Sequence, residues 1–313
     1  DKATGNVAFI CKRFYAQVLL RELGLDDQAG SATYESRDQE NINDIIQRQT
    51  ENLKLKFKLE VPSVSKLLPH IYWLPKLHKN PIKFRFIIAA PNCSVKPLSQ
   101  AVTNIFKLFY RQIETYNAKS QFYSSVKTFW VIQNNENVIK SLNKLNTRNN
   151  ANSISTFDFS TLYTTIPHKK LLDVLYHLVD FCFEGGTHEL ISVSNVRARW
   201  VSKSSKAGLT FNRNAVKDSI KYLMDNCYFT FGEKLFRQIV GIPMGSDPAP
   251  FMANLFLYHY ESKWVKSLKK DSLQRARRFN HTFPFIDDLL TINAQDKFLS
   301  SFKEIYTQTS NLI

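Results

Sequence analysis

A mixed α/β or α+β fold is predicted for this 313-residue chain by three observations. Short runs with a two-residue apolar period alternate with longer runs of three- and four-residue period. Gly, Pro and Asn punctuate the boundaries between them. No internal repeat or low-complexity tract organises the chain. In order, Asn6 to Cys11 reads as a short strand, Phe14 to Leu23 as a helix, and Ser36 to Leu53 as a mostly polar helix. From Lys54 to Leu59, lysines alternate with Leu55, Phe57 and Leu59, the period of an extended strand with one charged face. Residues 69–92, PHIYWLPKLHKNPIKFRFIIAAPN, read as strand, basic loop and second strand, Phe84 to Ala89. Leu98, Val102, Ile105, Phe109 and Ile113 step by three or four and predict a buried helix face. A helix follows over about Glu136 to Leu145, then the polar spacer Asn146 to Asn152.

The second half opens with a strand, Ser153 to Phe159, and Pro167 marks a helix start, where a missing N–H costs nothing. Leu171, Leu175 and Leu178 continue that helix inward until Gly185-Gly186 breaks it. Ile191 to Val201 reads as one strand carrying Arg197 and Arg199 on one face. A helix near Arg213 to Asn226 leads to a hairpin, Tyr228 to Phe231 and Leu235 to Val240, turning at Gly232. Gly241 to Pro250 is a loop, Phe251 to Leu268 a helix, and Thr282 to Ile292 two strands meeting at an acidic pair.

Composition excludes whole classes. With 43% hydrophobic residues, 9 Gly and 11 Pro, the chain is neither disordered nor collagen-like, and its length predicts division into lobes. Lys and Arg exceed Asp and Glu by 15, an excess that attracts phosphate backbones and opposes folding by self-repulsion. Lys54 to Lys58, Lys76 to Arg85 and Lys263 to Arg278 are the candidate basic clusters. No stretch has the apolar length of a membrane span, so no membrane partner is expected. Cys11, Cys93, Cys182 and Cys227 are too scattered for a zinc or disulfide framework, which predicts a reducing compartment.

Three carboxylates stand out because each follows a strongly apolar or aromatic strand: Asp158 in STFDFSTLYTTIPH, and Asp287 and Asp288 in PFIDDLL. An acidic pair alone says little, since about two arise by chance in this composition. Asp26-Asp27, in the polar GLDDQAG, is explained by a turn. Asp287 and Asp288 instead sit between Phe285-Ile286 and Leu289-Leu290, where adjacent charges repel unless a cation neutralises them. Mg²⁺ takes carboxylate oxygens together with substrate phosphates, and a pair of such ions activates an attacking hydroxyl while stabilising the leaving group. Between the acids, QIVGIPMGSDPAP places small residues in a defined loop before a helix, which permits close backbone approach to a base and sugar.

Taken in order, these segments resemble the reverse transcriptase signature, and more closely that of Penelope-like retroelements, relatives of telomerase reverse transcriptase. FDFSTLYTTIP looks like the first palm motif, QIVGIPMGSDPAP the second and FIDDLL the third; YWLPKLHK and FRFII resemble finger motifs, and DKATGNVAFI an upstream segment. The resemblance runs over essentially the whole chain. It implies an α+β right-hand polymerase: an N-terminal extension at 1–60, fingers at 61–150, and a palm at 151–313, its antiparallel sheet packed on helices, with a fingers-like insertion about 185–240. Two Mg²⁺ ions, or Mn²⁺ in their place, would be bound by Asp158 and Asp287, with Asp288 as an additional acid beside them. Tyr163 would gate against a 2′-hydroxyl, Gln238, Gly241 and Gly245 would hold the templating base and nucleotide, and Lys76, Lys79 and Arg85 would meet the triphosphate. RNA template, DNA primer and dNTP are the implied partners, and an intracellular, nuclear location is implied with them; oligomeric state is left open.

By the same resemblance the chain stops at Ile313 inside the fourth palm motif, so the thumb and the GIY-YIG nuclease of relatives are expected to be absent. Pro284 stands where relatives commonly have Arg, and a proline inside a strand is expected to delete a ladder hydrogen bond. The leading reading is an RNA-directed DNA polymerase. One rival is an RNA-dependent RNA polymerase, opposed by Tyr163; the other is a decayed, catalytically inactive relic that only binds nucleic acid.

Overall fold

A computed structural model describes residues 7–26, 31–77, 79–159, 162–184, 189–203, 208–294 and 296–307. The opening segment 1–6, Asp27, His78, Gly185 and Gly186 lie outside the described residues. The elements run α1 (Lys12–Glu22), β1 (Tyr34–Ser36), α2 (Ile42–Phe57), β2 (His70–Lys76), β3 (Lys83–Ala89), α3 (Lys96–Ser124) and α4 (Glu136–Asn146). They continue with β4 (Ile154–Asp158), α5 (Leu162–Thr165), α6 (His168–Glu184), β5 (Leu190–Val193), β6 (Ala198–Val201), β7 (Leu209–Phe211) and α7 (Arg213–Asp225). Then come β8 (Tyr228–Phe231), β9 (Lys234–Gln238), α8 (Ala249–Asp271), α9 (Leu273–Arg277), β10 (Thr282–Phe285), β11 (Asp288–Ile292) and α10 (Asp296–Thr307). Helices and mostly antiparallel sheets of this kind make the fold α+β. Two compact units result, one of residues 1–103 and 214–249, the other of 104–213 and 250–313.

The first unit is built on a five-stranded sheet of order β1-β9-β8-β2-β3. Alternation along β2 and β3 sends Trp73 and Ile88 into a core with Leu19, Phe229 and Phe236, where burial of large apolar side chains supplies the driving force. Tyr15 of α1 stacks on Trp73 at 4.7 Å and its carbonyl accepts the indole N–H, fixing α1 on the sheet. The alternating lysines from Lys54 belong to a helix: α2 runs to Phe57 because Ile45, Gln49, Leu53 and Phe57, four apart, form its buried stripe. It ends at Lys58, in the left-handed region at φ 55°, and starts at Asn41, whose side chain caps the Asn43 N–H. Val7 to Cys11 has no strand either; no partner strand offers it a ladder among the described residues.

In the second unit a three-stranded antiparallel sheet has the order β10-β11-β4. On one face, Phe157 and Phe159 pack on Phe302 and Tyr306 of α10, at 5.8 and 4.8 Å between rings. On the other, Phe283 and Ile292 join Ile132, with Val138, Leu142 and Leu145 from α4 over them. The strand expected over Ile191 to Val201 is two, β5 and β6, because Ser194 turns the chain by bonding Arg197 N–H and carbonyl.

Pro284 departs from expectation. It lies on β10, an edge strand, opposite Leu289. Its carbonyl accepts the Ile132 N–H at 3.1 Å, so at this position the backbone points away from β11. The position of its missing N–H faces the same outward way, and the β10–β11 ladder loses nothing.

Candidate active site

The site starts with strand register. Asp158, the last residue of β4, pairs directly with Asp288, the first of β11. The next backbone step closes with Phe159 N–H donating to the Asp287 carbonyl at 2.8 Å. Asp158 and Asp288 are therefore a non-hydrogen-bonded antiparallel pair, whose Cα atoms approach to about 4.5 Å with side chains on the same face. Asp287 is the second of two turn residues joining β10 to β11. The first is Ile286, held at φ 58°, a conformation a β-branched side chain rarely adopts. Local strain of this sort persists where surrounding structure imposes it, and it clusters at functional sites. Three acidic residues thus fall at one hairpin tip, carried by two non-adjacent stretches of sequence.

Tyr163, on the short helix α5, belongs to this tip. Burial and the Asp287 carboxylate push its phenol up to about 12, so it stays a neutral hydrogen-bonding group throughout the physiological range. Among the described residues no three His, Cys, Asp or Glu side chains are gathered closely enough to hold a metal ion. Mg²⁺ does not require such a group, since it is commonly held by one or two carboxylates plus substrate phosphates and water. The oxygen-only donor set of Asp158, Asp287 and Asp288 fits such an ion.

Two residues here were missed by sequence reasoning. Lys107 and Arg111, one turn apart on α3, line a cavity of about 420 Å³ with Tyr110, Phe251 and the hairpin's Phe285 and Ile286. The signal was available: 107 and 111 are cations at helical spacing on the exposed side of an otherwise buried helix.

The remaining predicted residues lie in the first unit. Lys76 is paired across the ribbon with Lys83, and Arg85 with Leu74, so these three cations share the exposed face of β2 and β3. Like charges directly opposite are destabilising without an anion between them. Lys79 is exposed in the connecting turn, its N–H on the Lys76 carbonyl. Gln238 is 2% exposed, its amide donating to the Val240 carbonyl while Oε1 has no partner. Gly241 and Gly245 take φ 88° and 113°. A Cβ on Gly245 would stand 2.3 Å from the Ile88 carbonyl oxygen, so the close approach that glycine permits here is made by β3 itself. Met244 accepts the Ile88 N–H, and Asp247 binds Lys96 at 2.8 Å and the Ser99 hydroxyl at 3.1 Å at the start of α3. The loop is held at both ends before its helix begins.

This chain shares its fold with solved structures. It superposes on telomerase from Candida tropicalis in complex with a TWJ fragment of telomeric RNA, at 13% identity and a TM-score of 0.52, covering 89% of this chain and 46% of that one. The Candida albicans telomerase in the same kind of complex gives 11% identity, a TM-score of 0.51, and coverage of 88% and 47%. The fold is telomerase-like. The chain spans less than half the length of these telomerases. No family model matches it, and no curated protein matches it. Among the described residues no helix is long and apolar enough to cross a membrane.

Proposed function

We propose that the chain is the polymerase portion of a reverse transcriptase, of Penelope-like type, that extends a DNA primer on an RNA template with dNTP. The observation that carries this reading is the direct opposition of Asp158 and Asp288 with Asp287 on the adjoining turn. The telomerase-like fold supports it, as does the excess of positive charge suited to nucleic acid. Asp158 and Asp287 would hold two Mg²⁺ ions, or Mn²⁺, with Asp288 beside them; such ions favour the attacking alkoxide and neutralise the departing pyrophosphate. Tyr163, neutral and packed beside Asp287, would occupy the space a ribose 2′-hydroxyl needs. Lys76, Lys79 and Arg85 are assigned to triphosphate binding, and Gln238, Gly241 and Gly245 to holding the templating base and nucleotide. Lys107 and Arg111 add phosphate-binding capacity beside the hairpin tip. A nuclear site of action goes with this reading.

The test separates metal binding from turnover. Fe²⁺ replacing Mg²⁺, with hydrogen peroxide as oxidant and ascorbate to recycle the iron, should cleave the backbone near residues 158 and 287 in the wild-type chain and not in Asp158→Asn. Primer extension on an RNA template should fall by at least about 100-fold in the same variant, since catalysis depends on near-attack geometry. Cleavage that is unchanged in Asp158→Asn rejects the assignment.

A further inference from the structure

A second cavity lies at the other end of the hairpin, on the sheet face that α4 covers. It encloses about 560 Å³, and among its described lining residues the cations Lys127, Lys144 and Arg148, with the imidazole of His281, face a single carboxylate, Glu114. Lys127 forms part of the lining, its ammonium 4.4 Å from the Phe283 ring centroid and 3.4 Å from the Thr282 carbonyl oxygen. Its backbone N–H is tied to the Asn280 side chain at 2.7 Å. His281 is fixed by a 2.7 Å hydrogen bond between Nδ1 and the Ser141 hydroxyl. Burial holds both Lys127 and His281 below their ordinary pKa, and the neighbouring cations add to this at His281. An anion in the cavity would relieve that repulsion.

Gln121 carries the lining to the end of α3, where Phe122 and Tyr123 are 83% and 86% exposed with rings 5.4 Å apart. Among the described residues of this unit none covers either ring. The Arg277 guanidinium donates to the Ser124 carbonyl at 3.3 Å, which brings α9, with Arg275, to the same helix end. Cations that follow a phosphate backbone beside open π-faces on which bases stack are the two components of single-strand recognition. A paired base has its faces covered by neighbours and cannot use such rings. We propose that this cavity and the aromatic pair beside it bind single-stranded nucleic acid, with phosphates on Lys127, Lys144 and Arg148 and bases on Phe122 and Tyr123. The site uses none of the three carboxylates and does not depend on the polymerase reading.

Binding of a short dye-labelled single-stranded RNA, measured by anisotropy without primer, dNTP or metal, tests it apart from turnover. Lys144, Arg148, Phe122 and Tyr123 are exposed, so their substitution leaves the core intact. The Lys144→Glu/Arg148→Glu pair should weaken binding at least about tenfold and lower the slope of log affinity against log salt by about 1.4, the value for two lost phosphate contacts on a single strand. Phe122→Ala/Tyr123→Ala should weaken the single strand about tenfold with the salt slope unchanged, and leave duplex RNA unaffected. A strand carrying 4-thiouridine should crosslink to the peptide containing Phe122 and Tyr123. Wild-type affinity in either double variant overturns the proposal, and so does crosslinking confined to other peptides, the result expected if this face serves a protein partner.

Discussion

The two ends of the β10–β11 hairpin present opposite chemistries within one small sheet. At the tip, Asp158, Asp287 and Asp288 gather negative charge on an uncovered, locally strained turn. At the base, α4 roofs the same face, and Lys127, Lys144, Arg148 and His281 line a cavity. Strand β10 separates them by roughly 10 Å, four residues at about 3.3 Å each step. The tip is assembled by backbone register, so its carboxylates are adjacent because two strands pair. The base is assembled by side chains from several segments of sequence, packed around a half-buried lysine. One end depends on the ladder, the other on burial, and the two respond differently to perturbation.

The largest expected contrast is in pH dependence. Beneath the basic end, Glu261 of α8 is fully buried, its Oε1 accepting from the Tyr306 hydroxyl at 2.7 Å and its Oε2 without a partner. Burial pushes its carboxyl up to about 7, against lowering contributions from Tyr306 and Lys127. Burial lowers Lys127 to about 8, against the attraction of Glu261 and Glu114. For Glu261, folded and unfolded chains are both protonated below about 4.5; between there and about 7 only the unfolded chain ionises, so stability falls as pH rises. For Lys127, the folded chain releases its proton above about 8 while the unfolded one keeps it to about 10.5, so stability recovers. Urea midpoints should therefore pass through a minimum between about pH 7 and 8. Glu261→Gln should remove the fall on the acid side, worth up to about 3 kcal/mol. A wild-type midpoint that is flat from pH 5 to 7 would remove the buried carboxylate from the account.

The tip offers the second test. Tyr163→Ala opens the space beside Asp287 without touching the hairpin backbone, and incorporation of rNTP relative to dNTP should rise about tenfold. The same substitution should leave single-strand binding at the basic end unchanged. If the nucleotide ratio does not move, Tyr163 is a packing residue of the tip, and the gate assignment fails.

How much of this contrast was legible in the sequence follows from how each end is built. The strands carrying Asp158 and the acidic pair were readable because apolar flanks and turn residues mark them locally. Their convergence was inferred through resemblance, since register between strands 130 residues apart leaves no periodic trace. The basic cavity left little local signal: Lys144 and Arg148 stand four apart, but Gln121, Lys127 and His281 come from other stretches. Where a local pattern did exist it also misled, for Lys54 to Lys58 has a strand's period and a helix's buried stripe at once, and tertiary packing of Leu53 and Phe57 decided for the helix. At Gly245 the sequence shows no trace of the Ile88 carbonyl, whose approach leaves no space for a Cβ.

Pro284 sits between the two ends and gives the smallest expected effect. The sequence alone suggests a defect, because proline fixes φ and removes a donor inside a strand that must aim Asp287. Register reverses the inference. Phe285 and Asp288 flank a two-residue turn and exchange hydrogen bonds; Pro284 and Leu289 form the next, non-bonded pair. The Pro284 carbonyl is spent outward on Ile132 N–H, and the ring occupies a buried edge that the segment through Ile132 covers. An alanine there restores an N–H facing that same edge and adds no bond to β11. Pro284→Ala should therefore change stability by less than about 1 kcal/mol. Fe²⁺ cleavage at residues 158 and 287 should keep the wild-type pattern, because the tip is positioned by β11 and β4. A shifted cleavage pattern, or primer extension that rises several-fold in the alanine variant, would mean that the proline displaces the carboxylates. That result would restore the reading of a decayed copy that retains only nucleic-acid binding.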